Sequence, residues 1–364
     1  MKHKIGFIGM GLIGGSIARA IRQYFPDYEI VAFDKNKETL ALATQESVID
    51  VAATTIDDNF HHCSYLFLCA PVSYNTAYLK QIRTYLHEEC ILTDVGSVKT
   101  NIHREVEALG IEPYFIGGHP MAGSEKSGYI NSKAMLIENA YYVLTPTGKV
   151  SQEKITRYEK FVQDLHAIPI LLGYQEHDYV TGTISHLPHI IASSLVNFVR
   201  DTDTKDELMK NLAAGGFKDI TRIASSSPTM WQHICLKNKD NISQILDSYI
   251  RFLNHAKDMI NQEDEQGIYH MFDTSRNYRN AIPSSSAGPI KKAYEVYCDI
   301  IDEAGGIAAI ATILASNNLN LKNIGIVNNR EFEEGVLRIE FYDEASSKKA
   351  AEILQKFRYI VYER

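Results

Sequence analysis

Short apolar runs alternating with amphipathic stretches organise the first half of the chain. Residues 4–8, 29–33, 65–70 and 90–93 are apolar runs of strand length, the pattern of strands buried on both faces. Between them, 16–25, 35–46 and 74–86 carry apolar positions at helical spacing, as in Ile17, Ala18, Ala20 and Ile21. Strands alternating with helices predict a parallel, doubly wound sheet, and further runs at 114–117 and 140–144 are expected to extend it. From about residue 176 the period becomes helical, with helices expected over 177–200, 206–213, 220–224 and 234–263. The stripe Ile242, Ile245, Leu246, Tyr249 and Leu253 suits a partner helix or a core within the chain. Residues 281–289 are small, polar and include two prolines, which reads as a linker. Beyond it, 294–301, 305–316, 321–327, 336–342, 345–357 and 359–362 give the order βαββαβ, a ferredoxin-like unit. The expected organisation is an α/β Rossmann-type domain over 1–173, a mostly α-helical domain over 174–282, a linker over 283–293 and a small βαββαβ domain over 294–364.

Composition narrows the class. The chain has 364 residues, 45% hydrophobic and 23% charged, which suits a soluble globular protein of two or three domains. A net charge of −8 argues against nucleic acid and against an anionic membrane surface, while leaving room for a local basic pocket. Cys63, Cys69, Cys90, Cys235 and Cys298 are scattered without a C-x-x-C pair, so neither a disulfide framework nor a cysteine metal site is expected. A reducing cytoplasm fits that usage. A strand is expected within a few residues of Met1, no leader is read before it, and no apolar run reaches membrane-spanning length.

Gly9-Met10-Gly11-Leu12-Ile13-Gly14 follows the first strand and opens the first helix, the context that a dinucleotide fingerprint requires. The first glycine makes the turn, the second admits a pyrophosphate, and the third lets helix pack on strand. Asp34 ends the second strand, where a carboxylate accepts from a ribose 2′-hydroxyl and repels a 2′-phosphate. That favours NAD over NADP, although Lys35 and Lys37 stand close by. Two later strand ends, Ala70-Pro71-Val72 and Asp94-Val95-Gly96-Ser97, are expected at the adenine-ribose side and the nicotinamide respectively. Read as plain βα turns, they would explain the proline and glycine but not the whole set. Cofactor contacts are therefore expected from Gly9, Gly11, Leu12, Ile13, Gly14, Asp34, Ala70, Pro71, Asp94 and Ser97.

Downstream, Gly117-Gly118-His119-Pro120-Met121-Ala122-Gly123-Ser124-Glu125-Lys126-Ser127-Gly128 sets one histidine in a glycine-rich loop. An imidazole held beside a nicotinamide is a natural proton acceptor for an alcohol being oxidised. In the helical half, Ser185-His186-Leu187-Pro188-His189 places two histidines at a helix kink. Lys218 and Arg222 lie one helical turn apart, before Ser225 to Trp231. Such a cationic pair binds a carboxylate or is simply solvated surface. His186 and His189 have no carboxylate or cysteine at ligand spacing, so no metal is expected.

At these residues the chain resembles the prephenate dehydrogenase family of tyrosine biosynthesis. The resemblance covers about residues 1–285 and rests on residues 9–16, Asp94 to Lys99, Gly117 to Gly128, His177-Asp178-Tyr179, Ser185 to His189 and Gly215 to Trp231. Residues 294–364 resemble an ACT domain, a small regulatory module that binds amino acids. The resemblance implies NAD-dependent oxidative decarboxylation of prephenate to 4-hydroxyphenylpyruvate, a homodimer formed by the helical domain, and inhibition by tyrosine through the tail. It implies His119 as hydrogen-bond acceptor and general base, with Ser97 orienting it. It implies Ser124, Glu125, His189, Lys218 and Arg222 around the substrate, and Asp178 holding that ionic network in place. Arogenate dehydrogenase, whose substrate carries an amino group in place of the pyruvyl carbonyl, remains a second reading. A non-catalytic sensor of nucleotides or amino acids is a third. Two departures stand out. Ala214 replaces the first of three glycines common before Phe217, and Asp302-Glu303-Ala304-Gly305-Gly306 lacks the proline common in ACT modules, while Asn318 and Asn320 keep the polar helix-end turn.

Overall fold

The structure, a computed structural model, describes residues 3–71, 74–123, 126–282, 294–300, 305–327 and 335–362. The chain divides into two compact units, Met1–Ser286 and Ala287–Arg364.

The first unit opens with β1 (Lys4–Ile8), α1 (Leu12–Tyr24), β2 (Glu29–Phe33), α2 (Lys37–Gln45), β3 (Val51–Ala53), β4 (Tyr65–Leu68), α3 (Asn75–Ile82), β5 (Ile91–Asp94) and α4 (Thr100–Ala108). The five strands form one sheet in the order β3-β2-β1-β4-β5, all parallel. β1, β2, β4 and β5 read as apolar runs because both sheet faces are covered there. Phe7, Phe67, Ile17, Ile21, Tyr158 and Phe161 fill one side. Leu66, Leu68, Leu79, Ile82, Ile102 and Val106 fill the other. The chain reverses direction across the sheet at β1 and β4, and the ends of these two strands converge on the Gly9 turn.

The next strands depart from expectation. β6 (Ile116–Pro120) and β7 (Tyr141–Pro146) do not extend the parallel sheet. With β8 (Ile168–Leu171) they make a separate three-stranded sheet, joined to the first by one parallel bridge between Leu92 and Phe115. β7 pairs antiparallel to β6, with His119 opposite Val143. No crossover helix separates them, only loop and short 3₁₀ turns, so β7 returns in the opposite sense. α5 (Gln152–Asp164) then supplies a crossover, and β8 pairs parallel to β7. Pro169 inside β8 hides that strand from a sequence reading.

The helical part starts at α6 (Tyr174–Thr181), continues through five residues wound as a π-helix (Gly182–His186), and runs on as α7 (Leu187–Thr202). The expected single helix over 177–200 is thus interrupted. Pro188 has no N–H to give the Ile184 carbonyl, and the wider π-turn re-spaces the backbone bonds just before it. α8 (Leu208–Leu212) and α9 (Gly215–Thr221) are short, and Arg222–Ser225 is a 3₁₀ turn, which replaces the helix expected over 220–224. The helix expected over 234–263 is two, α10 (Pro228–Lys237) and α11 (Lys239–Asn261), broken at Asn238. The buried Asn238 side chain reaches Asp178 and His186 through its Nδ2 and accepts from Asn241 of α11 at its Oδ1. α12 (Glu265–Ala281) follows, its first turn capped by Asp264. In the stripe on α11, Ile242 and Ile245 are buried within the chain, whereas Leu253 is exposed.

The second unit holds β9 (Tyr294–Ile300), α13 (Gly306–Ser316), β10 (Leu321–Val327), β11 (Gly335–Phe341), α14 (Glu344–Lys356) and β12 (Val361–Tyr362). The sheet order is β10-β11-β9-β12, fully antiparallel, as a ferredoxin-like βαββαβ unit requires. Val296, Cys298, Leu337 and Ile339 face Ile310, Leu314 and Leu354 in its core. Asn318 takes a left-handed φ of 57° just after α13, which an asparagine accommodates. The motif at 302–304 lies outside the described residues.

Candidate active site

The β1–α1 turn is built for close approach. Gly9 has φ +99°, and a Cβ there would lie 2.7 Å from the Ala70 nitrogen and the Cys69 carbonyl carbon. A Cβ on Gly14 would lie 2.5 Å from the Gly9 oxygen. By contrast, a Cβ on Gly11, the N-cap of α1, would meet nothing within 4 Å. No side chain caps this helix and its first turn carries no acid, so its N–H groups face open space. Asp34 is fixed at the end of β2, accepting from Met10 N–H at 2.7 Å and Asn36 N–H at 2.8 Å, one on each oxygen. Each oxygen keeps a further lone pair for a sugar hydroxyl. An uncapped helix N-terminus, a glycine cradle and a fixed carboxylate fit a dinucleotide pyrophosphate and its ribose. Leu12 and Ile13 are half-buried in the first turn, and Ala70 is half-buried beside exposed Pro71.

Asp94 does not line this cradle. It is buried at the end of β5, where it pairs with the Lys99 ammonium and accepts from Gly96 N–H at 2.9 Å and Gly118 N–H at 3.2 Å. Oδ1 ties β5 to β6 through Gly118, while Oδ2 takes Gly96 N–H and the Lys99 ammonium. Lys99 is fully buried and also donates to the Gly118 carbonyl at 2.6 Å. Burial pulls the Lys99 ammonium below its ordinary pKa against the attraction of Asp94. Removing either partner would strand a charge in the interior, at a cost of roughly 3–5 kcal/mol. Asp94, expected at the cofactor, is here buried among partners that hold the backbone beneath His119. A Cβ on Gly118 would lie 2.6 Å from the Asp94 carbonyl oxygen, so only glycine fits there.

His119 sits on β6, half-buried, with Nδ1 2.8 Å from Nε2 of His177. The rings cross at 72° with centroids 5.0 Å apart. His177 and Asp178 are fully buried in α6, and His177 Nδ1 lies 2.9 Å from Asp178 Oδ1. Asp178 also accepts from Lys99 N–H at 2.7 Å and Thr100 N–H at 2.8 Å, at the N-terminus of α4. Burial alone would raise the Asp178 carboxyl. Bonds from His177, Thr100 and Lys99 outweigh it and hold the group below its ordinary pKa. His119 is pushed well below its ordinary pKa by burial, then by the neighbouring His177, Lys99 and His186. A neutral imidazole is a proton acceptor ready for use.

Two expected roles change at this point. Ser97 is half-buried in the β5–α4 loop and makes no side-chain hydrogen bond among the described residues, whereas His119 hydrogen-bonds His177. Asp178 anchors His177 and caps α4 instead of bracing Lys218 and Arg222. His177 was quoted in the sequence only as part of a motif. A role for it was invisible because its partner lies 58 residues earlier, on another element.

The far wall comes from the helical region. Asn238 donates from Nδ2 to the Asp178 carbonyl at 2.8 Å, and the same nitrogen lies 3.1 Å from His186 Nδ1. Burial lowers His186 to a pKa of about 4. His189 stacks on Trp231 with centroids 3.8 Å apart; burial lowers its pKa too, and the Arg222 charge adds to this. Arg222 and Lys218 are exposed. Lys218 lies in the last turn of α9, and Arg222 caps its C-terminus and opens the 3₁₀ turn. Ser124 and Glu125 lie outside the described residues.

Comparison with known proteins agrees with this reading. Residues 17–171 match the nucleotide-binding domain of prephenate dehydrogenase, and residues 174–274 match the dimerization domain of prephenate dehydrogenase. The prephenate dehydrogenase of Bacillus subtilis is 37% identical over 98% of this chain and 96% of its own length. That of Lactococcus lactis is 36% identical over 97% and 98%. Among solved structures, prephenate dehydrogenase from A. aeolicus, in complex with hydroxyphenyl propionate and NAD⁺, superposes with a TM-score of 0.73 at 32% identity, over 78% of this chain and 99% of that one. Synechocystis arogenate dehydrogenase superposes with a TM-score of 0.69 at 27% identity, over 76% and 99%. From the uncapped glycine turn to the paired histidines, and along nearly its whole length, this chain belongs to the prephenate dehydrogenase family.

Proposed function

We infer that this protein is an NAD-dependent prephenate dehydrogenase, converting prephenate to 4-hydroxyphenylpyruvate and CO₂ in tyrosine biosynthesis. The observation that carries the reading is His119, a neutral imidazole fixed by buried partners, in a chain related over its full length to enzymes of that activity. Gly9, Gly11 and Gly14 admit the pyrophosphate, and Asp34 takes the ribose hydroxyls. When bound, NAD⁺ accepts the hydride that leaves C4. His119 accepts the proton of the C4 hydroxyl. The C1 carboxylate departs as CO₂, its bonding pair completes the aromatic ring, and the C4 phenolate oxygen so formed takes the proton back from His119. His189, Lys218 and Arg222 bind the substrate's carboxylates, with the planar Arg222 fork suited to bidentate pairing. Ser97, in the β5–α4 loop, lines the nicotinamide side.

The chain works as a homodimer through its helical region. Phe252, Leu253, Ile260, Tyr269, Phe272 and Tyr278 on α11 and α12 are exposed apolar side chains that a partner would cover. No helix among the described residues is long and apolar enough to cross a membrane. The unpaired cysteines suit the cytoplasm. Tyrosine binds the βαββαβ unit and inhibits.

NADH formation from prephenate and from arogenate, each with and without tyrosine, tests the reading. Turnover of prephenate, faster than of arogenate and slowed by tyrosine, is expected. Preference for arogenate would move the assignment to the second substrate, and insensitivity to tyrosine would remove the regulatory part. The active species should sediment near twice the 41.0 kDa chain mass.

A further inference from the structure

We propose that His177, braced by Asp178, fixes the tautomer of His119, so that His119 carries its proton on Nδ1 and presents a bare Nε2 to the substrate hydroxyl. This rests on the reaction assigned above, and makes His177 a positioning residue for it.

The argument follows from counting donors and acceptors. The Asp178 carboxylate has only acceptors, and two backbone N–H groups of the 99–100 segment already fix its orientation. The nitrogen 2.9 Å from Oδ1, Nδ1 of His177, must therefore carry a hydrogen. A neutral imidazole has one N–H, so Nε2 of His177 is a lone pair. That lone pair faces Nδ1 of His119 at 2.8 Å, and the hydrogen between them belongs to His119. The opposite nitrogen, Nε2 of His119, is then unprotonated.

The surroundings favour this neutral arrangement. The buried Lys99 ammonium already donates to the Gly118 carbonyl next to His119. His186, facing from the π-turn, accepts at Nδ1 from Asn238, because Nδ2 of Asn238 is committed as a donor by the Asp178 carbonyl. Were His177 doubly protonated, it would donate to His119, move the His119 proton to Nε2 and block the base. The structure thus allows two mutually exclusive states, of which one is competent. His177 is fully buried and cannot touch substrate, so any effect on the reaction passes through His119.

Long-range ¹H–¹⁵N spectra of the full-length enzyme labelled with ¹⁵N-histidine read the tautomer directly, without substrate. His119→Asn identifies the His119 signals among the 13 histidines. The expected result is a protonated Nδ1 and a bare Nε2 on His119. A protonated Nε2 in the resting enzyme at pH 7 overturns the proposal. Kinetics give the second reading. His177→Leu, which cannot accept from His119, should lower kcat for prephenate on the order of 10²-fold or more while KM for prephenate and NAD⁺ moves less than about threefold. His177→Gln places an amide oxygen near the Nε2 position and should recover at least about tenfold of that loss. Equal loss in two folded variants, or no loss in either, also overturns the proposal. If the unaltered enzyme shows the expected tautomer but does not oxidise prephenate, the reaction assignment fails and the positioning of His119 stands.

Discussion

His119 combines three constraints in one ring: a strand backbone pinned by Lys99 and Asp94, a hydrogen bond to His177, and a pKa held well below the ordinary value. Substituting His119→Asn removes the proton acceptor and leaves the glycine turn intact. We expect kcat to fall about 10²–10⁴-fold with NAD⁺ affinity nearly unchanged, measured by steady-state kinetics and cofactor titration. Because the base works in its neutral form, its depressed pKa keeps it active as pH falls. The acid limb of kcat/KM assigned to His119 should therefore lie well below pH 6.5, and a limb at or above pH 6.5 would contradict the buried setting. At this scale the sequence exposed the titratable loop and the family motifs. It did not expose the His177 contact, because adjacent residues on a helix point in different directions and nothing local says which of them meets a distant strand.

Among elements, the β1–α1 turn separates two roles that one motif merges. Gly9 is needed for backbone geometry and Gly11 for ligand approach. Gly9→Ala should destabilise the fold, lowering Tm by several degrees, since it meets backbone at 2.7 Å with φ +99°. Gly11→Ala should leave Tm within about a degree and raise the NAD⁺ KM about tenfold or more, because its Cβ enters the space a pyrophosphate would take. Thermal melts and cofactor kinetics of the two variants decide this; a Gly11→Ala enzyme with unaltered KM would remove that glycine from the cofactor site. The π-turn at Gly182–His186 belongs to the same scale. It places His186 on the buried side against Asn238 and Trp231, and local sequence marks it only through Pro188.

Across the whole molecule, buried neutral histidines make stability depend on acid. His103 and His186 are held to pKa values of about 4 by burial, and His119 is lowered too. The unfolded chain protonates them near pH 6.5, so below that pH it binds more protons than the folded chain and stability falls as pH falls. At pH 5 the loss amounts to about 2 kcal/mol for each of His103 and His186. Asp178, held below its ordinary value, keeps its contribution down to that pH. Denaturant titrations at pH 7 and pH 5 should show a drop of several kcal/mol, with equal stability at the two values counting against neutral burial.

The sequence by itself determined what depends on short range. Apolar runs fixed β1, β2, β4 and β5, and the glycine spacing fixed the nucleotide turn. The βαββαβ order of the tail was also readable, because hydrophobic period and turn residues are local properties. Tertiary structure alone decided what depends on pairing. It turned β7 antiparallel and gave β6–β8 a sheet of their own. It set Asp94 in a buried ion pair with Lys99 and Asp178 against His177. A buried polar group takes whichever partner satisfies it at the lowest desolvation cost, and that partner is brought by the fold from anywhere along the chain.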